Sequence, residues 1–376
     1  MKYNIAQRVG LKFLHYVNLC VGKCVDVLTR WKIYGKVPFT VKGHFGEVME
    51  VEHAYPKNYN STDKTKFDEW KSYKTFPHDL LYVSDVLLTN DGIVLKKHRT
   101  FIPALPHPIF RNQYGLLYNF FIRVFYRKKK LERGKNYLLV FDNWSWNNYF
   151  HWTIDSLCRL QLLHDHVKMD FTVLLPEASP AYVKDSLKLY GFTNVVLLPK
   201  NCKARVPDLY VMNYAAWSGQ QHPVILSEVA NFVRSQIPAM EGKTDRRVYV
   251  SRARAYSRKV SNEEEVVEVL KQHGFEILYF EGMRFSEQVA LMQNVKYFVT
   301  SHGANMTNLI YLPKGAKILE LIRSEGRANF CYWSVASCLG YDYFYQMCPL
   351  NQSDNIRVDV KELQHNLELL LGTINN

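Results

Sequence analysis

The sequence predicts an α/β protein made of two successive doubly wound halves, and three observations support this fold class. Apolar runs typical of buried strands alternate with helical segments from residue 137 to the C-terminus. A polar stretch, Glu241–Asp245, interrupts this alternation once. Apolar residues make up 47% of the 376 residues, and Gly and Pro occupy only 18 and 14 positions, which excludes a disordered or collagen-like chain.

Short strand-like runs precede the alternating part, between residues 40 and 120. Strands are predicted at Leu80–Ser84, Val86–Leu88 and Ile93–Leu95. The Asp91-Gly92 pair before the last of these is a hairpin signal. We therefore expect a small β-rich N-terminal lead-in.

The two α/β halves follow in chain order. In the first half, strands are predicted at Tyr137–Phe141, Phe171–Leu175 and Val195–Leu198, and helices at Phe150–His164, Ala181–Tyr190 and His222–Ile237. In the second, strands are predicted at Arg247–Ser251, Ile277–Phe280, Tyr297–Thr300, Lys317–Ile322 and Tyr343–Met347, and helices at Asn262–His273, Ser286–Gln293, Phe330–Cys338 and Val358–Leu371. Because open α/β sheets bind ligands at the carboxyl ends of their strands, side chains just after each strand are the candidates for a site.

Three segments are predicted: a basic amphipathic helix in residues 1–36, an α/β domain with the lead-in in residues 37–240, and a second α/β domain in residues 241–376. Arg8, Lys12 and Lys23 interrupt the apolar residues of the first segment, so we expect neither a secretory signal nor a transmembrane anchor. The helix is equally compatible with an anionic membrane surface and with packing on the protein body.

The charge balance is a clue to partners. The chain has 48 Lys and Arg against 35 Asp and Glu, a formal net charge of +13. The basic run in residues 123–135 is expected to be a solvated loop, with a patch for acidic lipid or an anionic sugar donor as the alternative. No zinc-finger, RNP or helix-turn-helix pattern is present, so no nucleic-acid partner is expected.

The seven cysteines are odd in number and widely scattered. Cys20 and Cys24 lie four apart, but no second pair of metal ligands accompanies them. We expect reduced thiols, without a disulfide framework or a zinc site.

Basic side chains follow the first strand of the second half. Arg252, Arg254 and Arg258 come after the strand Arg247–Ser251. The planar guanidinium matches phosphate oxygens, so these residues are candidate ligands of a diphosphate, with a basic surface loop as the alternative. No GxGxxG or GxxxxGK[ST] pattern follows a strand, which argues against a dinucleotide dehydrogenase and a P-loop enzyme.

Small and polar residues follow the strand Tyr297–Thr300. They are Ser301, His302, Gly303, Ala304, Asn305 and Asn308. Small residues permit close backbone approach, and the start of the next helix would present N–H groups to an anion, although a tight strand-to-helix turn is the alternative. Glu320, in the apolar strand Lys317–Ile322, needs a polar partner, which a ribose or an arginine would supply.

His151 and Asp155 are the candidates for acid–base chemistry. They lie four apart at the start of the predicted helix Phe150–His164, and therefore on one face. An imidazole oriented by a carboxylate is well suited to take a proton from a hydroxyl near neutral pH. A local hydrogen bond without a catalytic role is the alternative.

Together these motifs resemble glycosyltransferase family 61. The residues that carry the resemblance are Asn148–Asp155, Val250–Arg252 with Arg258, and Ser301–Gly315 with Glu320, within a match over residues 137–325. The family includes bacterial capsular-polysaccharide enzymes, plant xylosyl- and arabinosyltransferases that decorate xylan, and animal O-GlcNAc transferases of the secretory pathway.

The resemblance implies a GT-B-like fold with two facing Rossmann-like domains, and an inverting transfer from a nucleotide diphosphate sugar, with UDP as the expected nucleotide, to a glycan hydroxyl. His151 and Asp155 would be catalytic. The donor would be bound by Arg252, Arg254, Arg258, Ser301, His302, Gly303, Ala304, Asn305, Asn308 and Glu320. Asn148, Tyr149 and Trp152 would lie on the acceptor side.

The resemblance, taken with the sequence, also leads to expectations about cofactors and cellular location. No metal or other cofactor is expected to be required, because no DxD pattern is present, although metal dependence stays open. Without a secretory signal, we expect an enzyme of capsular or other surface polysaccharide synthesis in the cytoplasm, peripheral to the membrane. The competing hypothesis is a non-catalytic nucleotide- or sugar-binding scaffold of a membrane-associated polysaccharide assembly complex.

Overall fold

The computed structural model describes residues 37–97, 99–107, 116–325, 329–351 and 355–374. The predicted helix in residues 1–36 lies outside these ranges. The chain divides into two compact units. The first comprises Met1–Gly46, Pro77–Asn147 and Leu162–Tyr214, and the second Glu47–Phe76, Asn148–Gln161 and Ala215–Asn376.

The strands are numbered in chain order. They are β1 (Thr40–His44), β2 (Glu50–Glu52), β3 (Ser72–Lys74), β4 (Asp79–Thr89), β5 (Val94–Lys96), β6 (Arg99–Thr100), β7 (Arg127–Lys130), β8 (Asn136–Leu139), β9 (Phe171–Pro176), β10 (Val195–Leu198), β11 (Cys202–Met212), β12 (Arg246–Val250), β13 (Glu276–Leu278), β14 (Val295–Ser301), β15 (Lys317–Arg323) and β16 (Asp342–Cys348).

The helices are named by their residue ranges. The α-helices are Lys64–Asp68, Leu116–Phe125, Tyr149–His151, Leu157–His166, Ala181–Leu189, Pro223–Gln236, Glu263–Gln272, Phe285–Met292, Cys331–Cys338 and Val360–Leu371. The 3-10 helices are Ser61–Asp63, Ile102–Ala104, Ser145–Asn147 and Ala304–Tyr311, and a π-helical turn covers Trp152–Ser156.

The first unit contains a nine-stranded mixed sheet with the path β10-β9-β8-β11-β4-β5-β6, in which β1 also pairs with β4 and β7 with β11. Strands β10, β9, β8 and β11 run parallel, as their continuous apolar runs predicted. Strand β4 joins β11 antiparallel, and the predicted hairpin connects β4 to β5. The lead-in strands thus extend the α/β sheet, so this half is mixed and not doubly wound throughout.

The basic run in residues 123–135 differs from its expected form. Residues Arg127–Lys130 form β7, paired in parallel with β11, where a loop was expected. The β pairing fixes the backbone, while three of the four side chains remain exposed.

The second unit contains a five-stranded, fully parallel sheet with the order β13-β12-β14-β15-β16 and the short ribbon β2-β3. Leu270 and Leu363, from the helices that precede β13 and follow β16, share a buried cluster with Val299 of β14. The sheet therefore gains its core from helices whose apolar periodicity was visible in the sequence. The protein is α/β.

The predicted helix Phe150–His164 is present but is interrupted by the π-helical turn Trp152–Ser156, all of whose residues are buried. Such turns often occur at functional sites. Asn148–Gln161 groups with the second unit, whereas the domain limits predicted from the sequence placed this segment with the amino-terminal domain.

No helix in the described ranges is long and apolar enough to cross a membrane. Among the same residues, Cys158, Cys202, Cys331, Cys338 and Cys348 are free thiols. No group of three or more His, Cys, Asp and Glu side chains suited to a metal ion occurs in the described part of the chain.

Candidate active site

The helix that carries the predicted catalytic pair begins at a side-chain cap. The Asn148 side-chain oxygen accepts hydrogen bonds from the backbone N–H groups of Phe150 (3.0 Å) and His151 (3.4 Å). Trp152, predicted to lie on the acceptor side, is 1% exposed and packs in the interior. Asn148 and Trp152 thus shape the helix and its core.

His151 and Asp155 are in contact, as their spacing predicted. Nδ1 of His151 lies 2.9 Å from Oδ2 of Asp155. Because a carboxylate only accepts, Nδ1 carries the proton and Nε2 is the ring nitrogen able to accept another. The two side chains are 18% and 5% exposed, so the pair is largely shielded while the ring keeps access to solvent.

Ser218 contacts both side chains of this pair and was not predicted from the sequence. Its Oγ lies 2.7 Å from Oδ2 of Asp155 and 2.9 Å from Nδ1 of His151. The hydroxyl donates to the carboxylate, and its oxygen faces the Nδ1–H group. Ser218 lies in the loop before the helix Pro223–Gln236, where no local pattern marks it. We call His151, Asp155 and Ser218 the His151 group.

Tyr149 connects this helix to the predicted donor loop. Its hydroxyl donates to Oδ1 of Asn308 (2.8 Å), and Nδ2 of Asn308 donates to Oε1 of Gln288 (3.1 Å) and to the backbone oxygen of Asn305 (3.3 Å). Asn308 is 1% exposed. The structure therefore brings together two motifs that are far apart in sequence, and it does so within the second unit.

A layer of aromatic rings reinforces this connection. The ring of Tyr332 packs edge-on against Phe150, with centroids 5.1 Å apart, and against His302, also at 5.1 Å. Phe150 is the sequence neighbour of His151. Buried aromatic packing thus links the chain segment that carries His151 to His302.

His302 is oriented by a buried carboxylate. Its Nδ1 lies 2.5 Å from Oε1 of Glu320, and the hydroxyl of Tyr343 donates to Oε2 of Glu320 (2.6 Å). Glu320 is fully buried, and burial together with this carboxylate raises the pKa of Tyr343 well above its ordinary value, which keeps Tyr343 a donor. The polar partners of Glu320 that the sequence left open are therefore His302 and Tyr343.

A cavity of about 300 Å³ opens at the carboxyl ends of β14 and β15. Its lining residues are Ser257, Arg258, Ser301, His302, Leu321, Ile322, Arg323, Asn329, Leu350 and Ile356. Arg258, His302 and Arg323 can carry positive charge, and none of the lining residues within the described ranges is a carboxylate. Arg323 is the last residue of β15, one position beyond the predicted strand, and was not selected from the sequence. The cavity suits an anion of small-molecule size.

Arg252 holds the loop that carries Arg258. Its guanidinium donates to the backbone oxygens of Ser257 (3.1 Å) and Arg258 (3.2 Å), and its side chain is buried. Burial and the charge of Arg258 lower the pKa of Arg252. Arg258 has φ of 58°, which few residues other than glycine adopt. Arg254 stacks on the ring of Tyr279, 4.0 Å from its centroid.

Gly303 provides room for Arg252. A Cβ at Gly303 would lie 2.3 Å from Nη1 of Arg252 and 2.7 Å from its Cζ. The sequence predicted a close approach of an anion to the backbone here; the group that approaches Gly303 in the structure is a guanidinium of the protein itself. Ala304 and Asn305 begin the 3-10 helix Ala304–Tyr311 that follows.

The family model of glycosyltransferase 61 matches residues 149–319. The resemblance to glycosyltransferase 61 is confirmed over these residues. The matched segment contains His151, Asp155, Ser218, Arg258 and His302, and ends one residue before Glu320.

Proteins similar to this chain include the EGF domain-specific O-linked N-acetylglucosamine transferases of Drosophila melanogaster and Mus musculus. The first is 32% identical over 114 residues, which cover 29% of this chain and 21% of the relative. The second is 32% identical over 111 residues, which cover 27% of this chain and 20% of the relative. The chain therefore spans about a fifth of the length of the curated relatives it matches.

Proposed function

We propose that this protein transfers a sugar from a nucleotide diphosphate donor to a hydroxyl of a glycan acceptor. The observation that carries the proposal is the cationic cavity beside His302. This cavity lies in the same unit as the His151 group, and part of its lining belongs to the segment that the family model matches. A phosphate-binding cavity and an oriented imidazole are the two elements that a single-displacement transfer needs.

The donor diphosphate is assigned to the cavity at the ends of β14 and β15. Arg258 and Arg323 can form charge-assisted hydrogen bonds with phosphate oxygens, and His302, which follows β14, lines the same cavity with its orientation set by Glu320. These groups neutralise the charge that develops on the departing nucleotide diphosphate. In this proposal protein cations perform that role, so a metal ion is not required.

His151 is assigned as the base for the acceptor hydroxyl. Asp155 and Ser218 hold its Nδ1–H, so Nε2 takes the proton as the hydroxyl oxygen attacks the anomeric carbon. One such displacement inverts the configuration at that carbon. Inversion and the GT-B-like arrangement are parts of the proposal that come from the family resemblance.

The proposed donor is a UDP-sugar, and the names of the relatives make UDP-N-acetylglucosamine the first to test. For the acceptor we propose a capsular or other surface glycan, with the enzyme acting in the cytoplasm at the membrane face. Tyr149 is the acceptor-side candidate that the family resemblance implies; it lies two positions before His151 in the chain, and its hydroxyl contacts Asn308.

The decisive experiment compares His151→Ala with the wild type in two assays. Release of UDP from a panel of UDP-sugars, with and without glycan acceptors, measures turnover, and calorimetry with UDP measures binding. We expect turnover to fall by about 10²–10⁴-fold, the usual contribution of a general base, while UDP affinity changes less than about twofold.

His164→Ala is the matched control. His164 also places Nδ1 2.9 Å from a carboxylate, that of Asp165, but it is 40% exposed and lies in the first unit. Its replacement should leave turnover unchanged. Equal turnover in His151→Ala and the wild type would refute the assignment of the base, and UDP binding without turnover of any donor would support the scaffold hypothesis instead.

A further inference from the structure

The helix Leu116–Phe125 of the first unit exposes apolar side chains to solvent. Phe120, Phe121, Val124 and Phe125 are 64%, 41%, 55% and 63% exposed. Their spacing places them on one face of the helix, which we call the aromatic face. The opposite side carries Ile122, which is fully buried. The helix is thus anchored by one apolar side and presents a second to solvent.

The outward orientation of the aromatic face is fixed by the fold. Nζ of Lys203 donates to the backbone oxygens of Ile122 (2.9 Å) and Arg123, at the C-terminal end of the helix. Lys203 is 4% exposed. A buried ammonium on the last carbonyls compensates the unpaired groups and the partial negative charge of a helix C-terminus. The aromatic face therefore cannot turn inward without breaking these bonds.

A strip of cations follows the aromatic face directly. Residues 123–135 contain seven Lys and Arg and one carboxylate, that of Glu132. Four of the cations form β7, whose pairing with β11 holds them at a fixed place next to the helix. Lys129 donates to the backbone oxygen of Leu197, whereas Arg127, Lys128 and Lys130 are exposed.

We propose that the aromatic face and β7 together dock on an anionic lipid bilayer. Phenylalanine side chains enter the boundary between headgroups and acyl chains, and neighbouring Lys and Arg attract anionic headgroups. Pairing with a second copy through the same surface would bring two sets of cations together, because a two-fold interface repeats the same patch on both sides. The charge thus favours a bilayer over self-association, and the surface is independent of the transfer reaction.

Vesicle co-sedimentation of the full chain tests the proposal. Vesicles of phosphatidylcholine with about one third phosphatidylserine are compared with pure phosphatidylcholine. We expect binding to the anionic vesicles only, weakened by salt as screening of exposed charges requires. Lys128→Gln/Lys130→Gln should weaken partitioning by about thirtyfold, since each cation near an anionic surface contributes about 1 kcal/mol. Phe120→Ser/Phe125→Ser should weaken it by at least about a hundredfold.

Matched controls come from exposed side chains elsewhere. Lys184→Gln/Lys188→Gln removes two exposed cations from another helix of the first unit, and Val224→Ser removes an apolar side chain that is 49% exposed. Both should bind vesicles like the wild type, and all four variants should keep the wild-type melting temperature because the replaced side chains are exposed.

Three results would overturn the proposal. They are equal binding of the wild type to neutral and anionic vesicles, a loss in the controls as large as that in the β7 and aromatic variants, and failure of the wild type to bind either vesicle. In the last case, light scattering that shows a dimer dissociated by Phe120→Ser/Phe125→Ser would identify the aromatic face as an interface between copies.

Discussion

Replacing Gly303 by alanine tests whether Arg252 holds the loop that carries Arg258. The added Cβ would lie 2.3 Å from Nη1 and 2.7 Å from Cζ of Arg252, where contact distances are ordinarily about 3.5 Å or more. The guanidinium must therefore move by about 1 Å or more. Its hydrogen bonds to the oxygens of Ser257 and Arg258, now 3.1 and 3.2 Å long, would then be lost or badly strained.

The expected cost follows from these contacts. Overpacking of an interior site costs about 1–3 kcal/mol, and a hydrogen bond from a charged group contributes about 1.5–3 kcal/mol. Because Arg252 is only 7% exposed, water cannot readily replace its partners. We expect Gly303→Ala to lower the free energy of unfolding by about 2–4 kcal/mol. UDP affinity should fall by about tenfold as Arg258 loses its position in the cavity, which corresponds to about 1.4 kcal/mol.

Two comparisons separate this cause from a general effect of replacing glycine. Gly315 has φ of 79° and no atom within 4 Å of an added Cβ, so Gly315→Ala measures the cost of replacing a left-handed glycine alone, about 1 kcal/mol. Gly303 has φ of 156° and ψ of −175°, a conformation adopted almost only by glycine, so its own backbone strain adds to the clash. A double-mutant cycle with Arg252→Ala then measures the coupling by urea unfolding and by calorimetry with UDP. If the two replacements prove additive, the clash does not act through Arg252 and the assigned role of the guanidinium is wrong.

The other predictions concern Ser218, Glu320 and the buried side chain of His53. Ser218→Ala should lower kcat by about tenfold with KM unchanged, and Ser218→Thr should restore part of it, because the hydroxyl positions the imidazole and does not touch donor; a rise in KM alone would contradict this. Glu320→Gln should weaken UDP binding by about tenfold in calorimetry, through loss of the charged partner of His302; unchanged affinity would remove His302 from the donor site. Burial lowers the pKa of His53 to about 4, so the unfolded chain takes up the proton first as pH falls below about 6.5. The free energy of unfolding is therefore highest above about pH 6.5 and falls by at most about 3 kcal/mol toward pH 4. Urea unfolding across that range should show a flatter pH dependence for His53→Gln than for the wild type. Parallel curves would show that His53 does not have the lowered pKa.

Periodic features were readable from the sequence because they are local. The strands of the second sheet were predicted from continuous apolar runs, and the structure differs from those predictions only at the ends. The contact between His151 and Asp155 followed from their spacing on one helix face. Glu320 was recognised as a buried carboxylate in need of a partner, since a lone charge in an apolar strand is costly.

Non-local features were not readable. Ser218 reaches Asp155 across 63 positions, and only the fold brings them together. The roles of Arg252 and Arg258 depend on which of them is buried in the loop after β12. A run of alternating basic residues does not encode that choice. The basic strand β7 was expected to be a solvated loop because runs of like charge usually are, yet pairing with β11 places it in the sheet.

The two imidazoles of the second unit share one arrangement. In each, Nδ1 faces a carboxylate that also accepts a hydrogen bond from a hydroxyl, Ser218 for His151 and Tyr343 for His302. In both rings Nε2 is therefore the nitrogen that does not face the carboxylate. Their surroundings differ, because His302 lines a cavity with two arginines whereas His151 does not. An acceptor hydroxyl needs an Nε2 without a proton, while a phosphate oxygen needs an Nε2–H group. The same arrangement can thus serve as a base at His151 and as a hydrogen-bond donor to a phosphate oxygen at His302.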